Sequence, residues 1–143
     1  MSSRLFCALM LAVLLGACNE PPAPQAPDPQ TILQSIPPAD SARYEHIRDM
    51  KNWQNPYLIV RAGDVVLYDV ADNAEIAVKT NDLLTELAKL PASNWPYGRV
   101  VAAIEVSGNK LSEQDKIAIR RNKGIVGGML QGAHIAVDWV PSA

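Results

Sequence analysis

Seven of the eleven prolines fall within the eighteen residues from Pro21 to Pro38, and that cluster decides how much of the 143-residue chain is left to build a fold. Each proline fixes φ near −65° and removes an amide donor, so neither a regular helix nor an interior strand suits the stretch. Ala and Gln are the commonest residues between Pro21, Pro22, Pro24, Pro27, Pro29, Pro37 and Pro38. Residues 18–38 read as a linker, and at the polyproline rise of about 3.1 Å per residue its eighteen residues from Pro21 to Pro38 reach on the order of 50 Å. The remaining residues, 39–143, suffice for one small domain around one core and are too few for two.

Upstream, Met1–Arg4 carries one positive charge, and Leu5–Leu15 is an eleven-residue run with no polar side chain except the Cys7 thiol. This is the charge and hydropathy profile of a signal peptide, residues 1–17. A membrane-spanning helix needs about 20 apolar residues, and here Glu20 and the prolines interrupt soon after Cys18. The closing Leu15-Gly16-Ala17-Cys18 resembles the bacterial lipobox. That resemblance implies cleavage before Cys18, lipid (diacylglyceryl and palmitate) on its sulfur, and a cell-envelope lipoprotein whose domain faces the periplasm. Two or three acyl chains anchor stably where one holds only marginally. Asn19, rather than aspartate, follows the cysteine, which by the same resemblance favours the outer membrane over the inner cell membrane. The competing reading is a secreted chain with Cys18 near the cleavage site by chance.

With Cys7 removed and Cys18 acylated, the mature domain has no thiol for a disulfide, a thiolate metal site or a cysteine nucleophile. Losing Arg4 takes the formal charge from −2 to −3, with both signs interspersed. No nucleic-acid footprint is present.

Within the domain, Asp40 or Ser41 is expected to cap a short helix through Asn52, with Tyr44, Ile47 and Met50 on one side and Asn55-Pro56 ending it. Tyr57–Arg61 and Val65–Val70 flank Ala62-Gly63-Asp64 and predict a hairpin, and Glu75–Val78 continues extended structure. Thr80 is expected to cap a helix with the stripe Leu83, Leu84, Leu87 and Leu90, stopped by Pro91. Val100–Val106 is apolar at nearly every position and predicts the central strand, covered on both faces. Ser112 and Asp115 have capping-box spacing, opening a helix in which Ala118, Ile125, Val126, Met129, Leu130 and Ala133 recur with helical period. Gly124, Gly127, Gly128 and Gly132 each lower helix propensity by nearly 1 kcal/mol, which points to a break or a close backbone approach. His134–Val140 is the last strand. The order hairpin, helix, strand, helix, strand makes a small two-layer α/β sandwich.

Tyr57–Tyr68, the Leu83/Leu87 helix, Arg99–Glu105 and the ending Gly132-Ala133-His134-Ile135-Ala136-Val137 together resemble the periplasmic domains of the ExbD/TolR family. The resemblance implies that fold, self-association as a homodimer and, as in some relatives, contact with peptidoglycan. That family carries a transmembrane helix with a proton-coupled aspartate, whereas the apolar run here has no carboxylate, so energy transduction does not carry over. Asn109-Lys110-Leu111-Ser112-Glu113 followed by Arg120 resembles part of the OmpA-like peptidoglycan-binding motif, which implies a wall-binding role for Arg120. The Thr-Asp pair that precedes the motif in that family has no counterpart in Ala103–Gly108, and the plain alternative is that Arg120, Arg121 and Lys123 form a solvated helix face.

His46 and His134 are the only imidazoles, and neither sits in a catalytic or metal-binding spacing. Asp69 and Asp72 are the kind of carboxylate pair that any loop supplies. Trp53, Trp95 and Trp139 lie near Pro or Asn, and Trp95-Pro96-Tyr97-Gly98 is the best aromatic patch, either a binding surface for a sugar or partner or a plug at the end of the core. The candidate binding residues are therefore Arg120, Trp95 and Tyr97, with no catalytic residue, metal or cofactor. Three function classes follow: a non-enzymatic module that binds peptidoglycan or an envelope protein from its lipid anchor, a structural or assembly subunit of an ExbD/TolR-like envelope complex, and, as the least favoured, a small envelope hydrolase.

Overall fold

The computed structural model describes residues 21–141; the signal peptide, the lipobox and Cys18 lie outside them. The chain runs α1 (Pro29–Gln34), β1 (Tyr57–Val60), β2 (Val65–Asp69), β3 (Ala74–Val78), α2 (Leu83–Lys89), β4 (Val100–Glu105), α3 (Glu113–Gly132) and β5 (Ala136–Val140). The five strands form one mixed sheet in the order β3-β2-β1-β4-β5. The hairpin β1–β2 pairs Tyr57 with Tyr68 and Val60 with Val65, and β3 continues antiparallel to β2. By contrast β4 lies parallel to β1, and β5 parallel to β4. The fold is the expected α/β sandwich, with β1 rather than β4 at the middle of the sheet.

Side-chain alternation sorts the strands onto two faces. Leu58, Leu67, Val101 and Ala103 meet Leu33 and Ile36 around α1, Leu83 and Leu87 of α2, and Val126 and Leu130 of α3 in the main core. Val100 and Ala102 point the other way, against Trp53 and Tyr97, with Tyr44, Ile47 and Met50 packed around them. Val100–Ala103 are all fully buried, as a strand covered on both faces requires.

Several local expectations are corrected. The linker ends at Asp28: Pro29 starts α1, and Leu33 (0% exposed) and Ile36 (3%) belong to the main core. The folded unit therefore begins ten residues before Ala39. An isolated parallel bridge between Pro38 and Arg99, with Arg99 N–H donating to Pro37 O at 2.9 Å, holds the next stretch beside the sheet. The helix expected over 40–52 is instead two single 3₁₀ turns, Ser41–Arg43 and Met50–Asn52. The Asp49 side chain accepts from Lys51 N–H at 3.0 Å, a local turn that competes with helix. Before α2 there is a 3₁₀ turn, Thr80–Asp82, without a side-chain cap.

The Ser112–Asp115 capping box is present, with Asp115 N–H donating to Ser112 Oγ at 3.0 Å and Ser112 N–H to Asp115 Oδ2 at 3.3 Å. From there α3 runs unbroken through all four glycines. Its core-facing residues are Ile119, Asn122, Val126 and Leu130. Ile125, expected on that stripe, is 41% exposed. Neither the expected break nor a close backbone approach is found: a Cβ at Gly127 would lie 3.8 Å from the Trp139 ring, an ordinary contact, and the other three have open space.

Candidate functional site

The parallel strands β1 and β4 end together: Val60 pairs with Glu105, and Val106 N–H donates to Val60 O at 3.0 Å. Ligand sites of open α/β sheets favour this carboxyl edge of parallel strands. Two turns frame it here. The hairpin reversal after β1 is closed by Arg61 N–H donating to Asp64 O, and is pinned from α3 by Asn122, whose Nδ2 donates to Arg61 O at 2.8 Å and Ala62 O at 3.1 Å. The connection from β4 turns at Gly108 (φ +151°) before the Ser112 cap starts α3.

Between these turns and the first half of α3 lies a two-lobed groove. One lobe, about 400 Å³, is lined by Glu105, Ser107, Glu113, Lys116 and Arg120 among others. The other, about 420 Å³, reaches Arg61, Asp64 and Asp115. Val106, Leu111 and Ile119 line both lobes and form their shared apolar floor.

The charges around the groove are unequally engaged. Glu113 pairs with Lys116 at 2.7 Å, and Glu105 with Lys123 at 3.2 Å. Lys123 also sits 4.7 Å above the Trp139 ring. Asp115 is held by the helix cap. Arg120 has only a long contact from Nε to Lys116 O, 3.3 Å, and among the described residues it makes no ion pair. Arg61 and Asp64 likewise make none. Arg120 and Arg121 are both exposed, as a solvated helix face has them, and Arg120 also borders the groove; Lys123 is half-buried, reaching Glu105 of β4 and the Trp139 ring of β5.

The aromatic candidates are placed elsewhere. Trp95 is 4% exposed in the main core, and Tyr97 is 7% exposed in the second. Tyr97 stands in an edge-to-face contact with Trp53 at 5.2 Å, with Tyr44 completing the cluster. Burial pushes the Tyr97, Tyr44 and Tyr57 hydroxyls above the usual tyrosine pKa; nearby acidic groups add to the rise at Tyr44, and Tyr68 and Glu75 at Tyr57. The patch Trp95-Pro96-Tyr97-Gly98 is packing, and the binding role expected for Trp95 and Tyr97 is corrected to a structural one.

Of the polar candidates, Asp69 is buried and accepts from Asn94 Nδ2 at 2.9 and 3.1 Å and from Ala71 N–H at 3.1 Å, whereas Asp72 is exposed. His46 is exposed on the segment between the two 3₁₀ turns, and His134 is exposed just after α3 with φ +58°. Among the described residues no three His, Cys, Asp or Glu side chains come together as a metal site.

Reading the sequence missed Asn122 and Ile119 as parts of this site, while Leu111 entered it only within the Asn109–Glu113 motif. Asn122 had a visible signal: it stands between Ile119 and Val126 at core-facing helical spacing, where a polar residue needs a buried partner. No family model, curated protein or solved structure matches the chain.

Proposed function

We propose that this protein is an envelope lipoprotein, cut before Cys18, acylated there and facing the periplasm, whose α/β domain is a non-enzymatic binding module for peptidoglycan or an envelope protein. The observation that carries the reading is the groove at the carboxyl edge of β1 and β4, where the unpaired Arg120 guanidinium borders an apolar floor. Small-molecule and peptide sites have this character of an apolar concavity with a few placed polar groups. The lipobox and the proline-rich segment supply the anchor and tether.

The test has two arms. Fractionation of cells making Cys18→Ser should find unacylated protein released from the membrane; acylated Cys18→Ser protein would reject the anchor. The mature protein should co-sediment with peptidoglycan sacculi in a salt-resistant manner, and Arg120→Gln should reduce the bound fraction. Failure to sediment would move the ligand from the wall to a protein.

The assembly reading has its own support. Ile117 (60% exposed) and Ile125 (41%) are the exposed large hydrophobic residues of the described chain, and both lie on α3. Gly124 and Gly128 share that outer side and have open space where a Cβ would stand. With exposed Arg121 four residues from each isoleucine, this face is apolar and basic rather than evenly charged, and it suits an envelope partner or a second copy. Sedimentation velocity of the wild type against Ile117→Lys separates this reading from a monomeric binder.

A further inference from the structure

We infer that a basic hollow on the sheet face opposite α3 takes the phosphate of an anionic membrane lipid headgroup. The hollow lies outside the groove, and the choice of a lipid as the source rests on the proposed anchor. It is formed where the irregular segment between α1 and β1 covers the second face, and it measures about 440 Å³. Two guanidiniums, Arg43 and Arg48, line it together with the imidazole of His46 and the side-chain amides of Asn52 and Gln54, and no carboxylate does. The surrounding charges leave this excess in place. Asp40 engages Arg43 at Nε, 3.3 Å, and Arg43 Nη1 donates to Pro96 O at 2.7 Å, which fixes that guanidinium. Arg48 Nη1 donates to the Glu45 carbonyl at 2.7 Å, and among the described residues Arg48 makes no ion pair. Arg48 stands at the rim between the hollow and a smaller cleft, and it is that cleft which Asp49 and Asp138 line. Glu45 is exposed and lines neither.

The donor set decides the ligand. Two guanidiniums, an imidazole and two amides offer more N–H groups than the two oxygens of a carboxylate can take, whereas a phosphate presents its acceptors in a tetrahedral array. Ile47 is the one aliphatic side chain in the lining, so an apolar ligand gains little there. The source follows from where the hollow stands in the chain. From α1 the backbone passes the Pro38–Arg99 bridge and Asp40, whose N–H donates to Tyr97 O at 2.9 Å, and then enters the hollow at Arg43. Under the anchor, the proline-rich stretch before α1 reaches only about 25 Å, and headgroup phosphates are the concentrated anion within that distance. The chain is net negative, so its overall charge opposes an anionic surface. Attraction to such a surface therefore has to come from a local basic site.

The experiment is vesicle flotation of the whole mature chain, residues 18–143, made without acylation as Cys18→Ser. The vesicles are phosphatidylcholine alone, phosphatidylcholine with phosphatidylglycerol, and phosphatidylcholine with oleate at the same surface charge. Binding to the phosphatidylglycerol vesicles should be about fivefold tighter than to either of the others, and it should weaken with added salt. Arg48 is exposed, so Arg48→Gln leaves the fold intact and should lower that binding about fivefold. Lys89→Gln, on α2, should leave it unchanged. Equal flotation with phosphatidylglycerol and oleate would reduce the hollow to a general attraction between charges and overturn the inference. An Arg48→Gln variant that floats like the parent, or no flotation with any vesicle, would overturn it as well. Binding of inorganic phosphate in calorimetry without flotation would overturn the lipid as the source. Because the chain tested carries no acyl group, none of these outcomes bears on the anchor, which the membrane fractionation decides by itself.

Discussion

Asn55 and Gly98 meet at one point in the fold, and each is there for a reason specific to its side chain. Asn55 is fully buried: Nδ2 donates to Gly98 O at 2.8 Å and Val100 O at 2.7 Å, while Oδ1 accepts from Tyr97 N–H at 2.9 Å. One amide thus satisfies three backbone groups in the segment entering β4. Asn55→Ala leaves these buried groups unpaired and should lower stability by about 2–4 kcal/mol, read from urea denaturation. Gly98 has φ +78°, and a Cβ there would overlap the Pro38 carbonyl. Gly98→Ala combines that clash with a left-handed backbone and should cost more than about 3 kcal/mol, seen as a thermal midpoint lowered by well over 10 °C. The sequence marks Asn55-Pro56 as a helix stop, and nothing in it places Asn55 beside Gly98, 43 residues away in the chain. The tyrosines add a pH dependence. The Tyr44, Tyr57 and Tyr97 pKa values are raised above the ordinary 10.0 in the folded state, so the unfolded chain loses these protons first as pH climbs. Stability should therefore be unaffected by these groups below pH 10 and should fall progressively above it. Alkaline denaturation followed alongside tyrosinate absorbance checks this, and a folded protein whose tyrosines all ionise near pH 10 would contradict it.

At the scale of elements, α3 shows why helix existence is easier to read than helix orientation. Its start is written locally in the Ser112–Asp115 box, and its length follows from the apolar recurrence up to Ala133. Which residues face inward depends on the sheet: Asn122 turns in because the 61–62 carbonyls need a donor there, and Ile125 turns out. The glycines follow the same division. Gly127 packs near Trp139, but Gly124, Gly128 and Gly132 have open space around a would-be Cβ. Nothing inside the domain requires glycine at Gly128. Gly128→Ala should therefore stabilise the isolated domain by about 0.8–1 kcal/mol in denaturant melts. If the same substitution weakens association in sedimentation velocity, the glycine serves the outer surface; if stability also fails to rise, the local account of α3 is wrong. The Ser41–Asn52 region was illegible for the opposite reason. Tyr44, Ile47 and Met50 have a spacing that fits a helix, yet they pack onto the aromatic face from irregular backbone.

For the whole molecule, the position of α1 decides how much of the proline-rich stretch is left as a tether. Proline density alone extends the linker to Pro38, because a local reading cannot see that Leu33 and Ile36 find a core between α1, α2 and the sheet. With α1 in the fold, the extended stretch from Pro21 shortens from eighteen residues to the eight of 21–28, and at about 3.1 Å per residue its reach is roughly 25 Å rather than 50. Under the proposed lipid anchor, this shorter tether would keep the groove close to the membrane. The boundary itself is open to test. A chain beginning at Ala39 would expose the surfaces that Leu33 and Ile36 cover and lose the Pro37 carbonyl that accepts from Arg99. Burial of a large aliphatic side chain contributes about 1.5–3 kcal/mol. Removing both should destabilise the domain by about 3–6 kcal/mol, comparable to the whole stability of many domains of this size. A chain beginning at Pro21 should melt as the mature protein does, and one beginning at Ala39 should melt far lower or fail to fold. Equal melting of the two would return α1 to the tether and restore the longer reach.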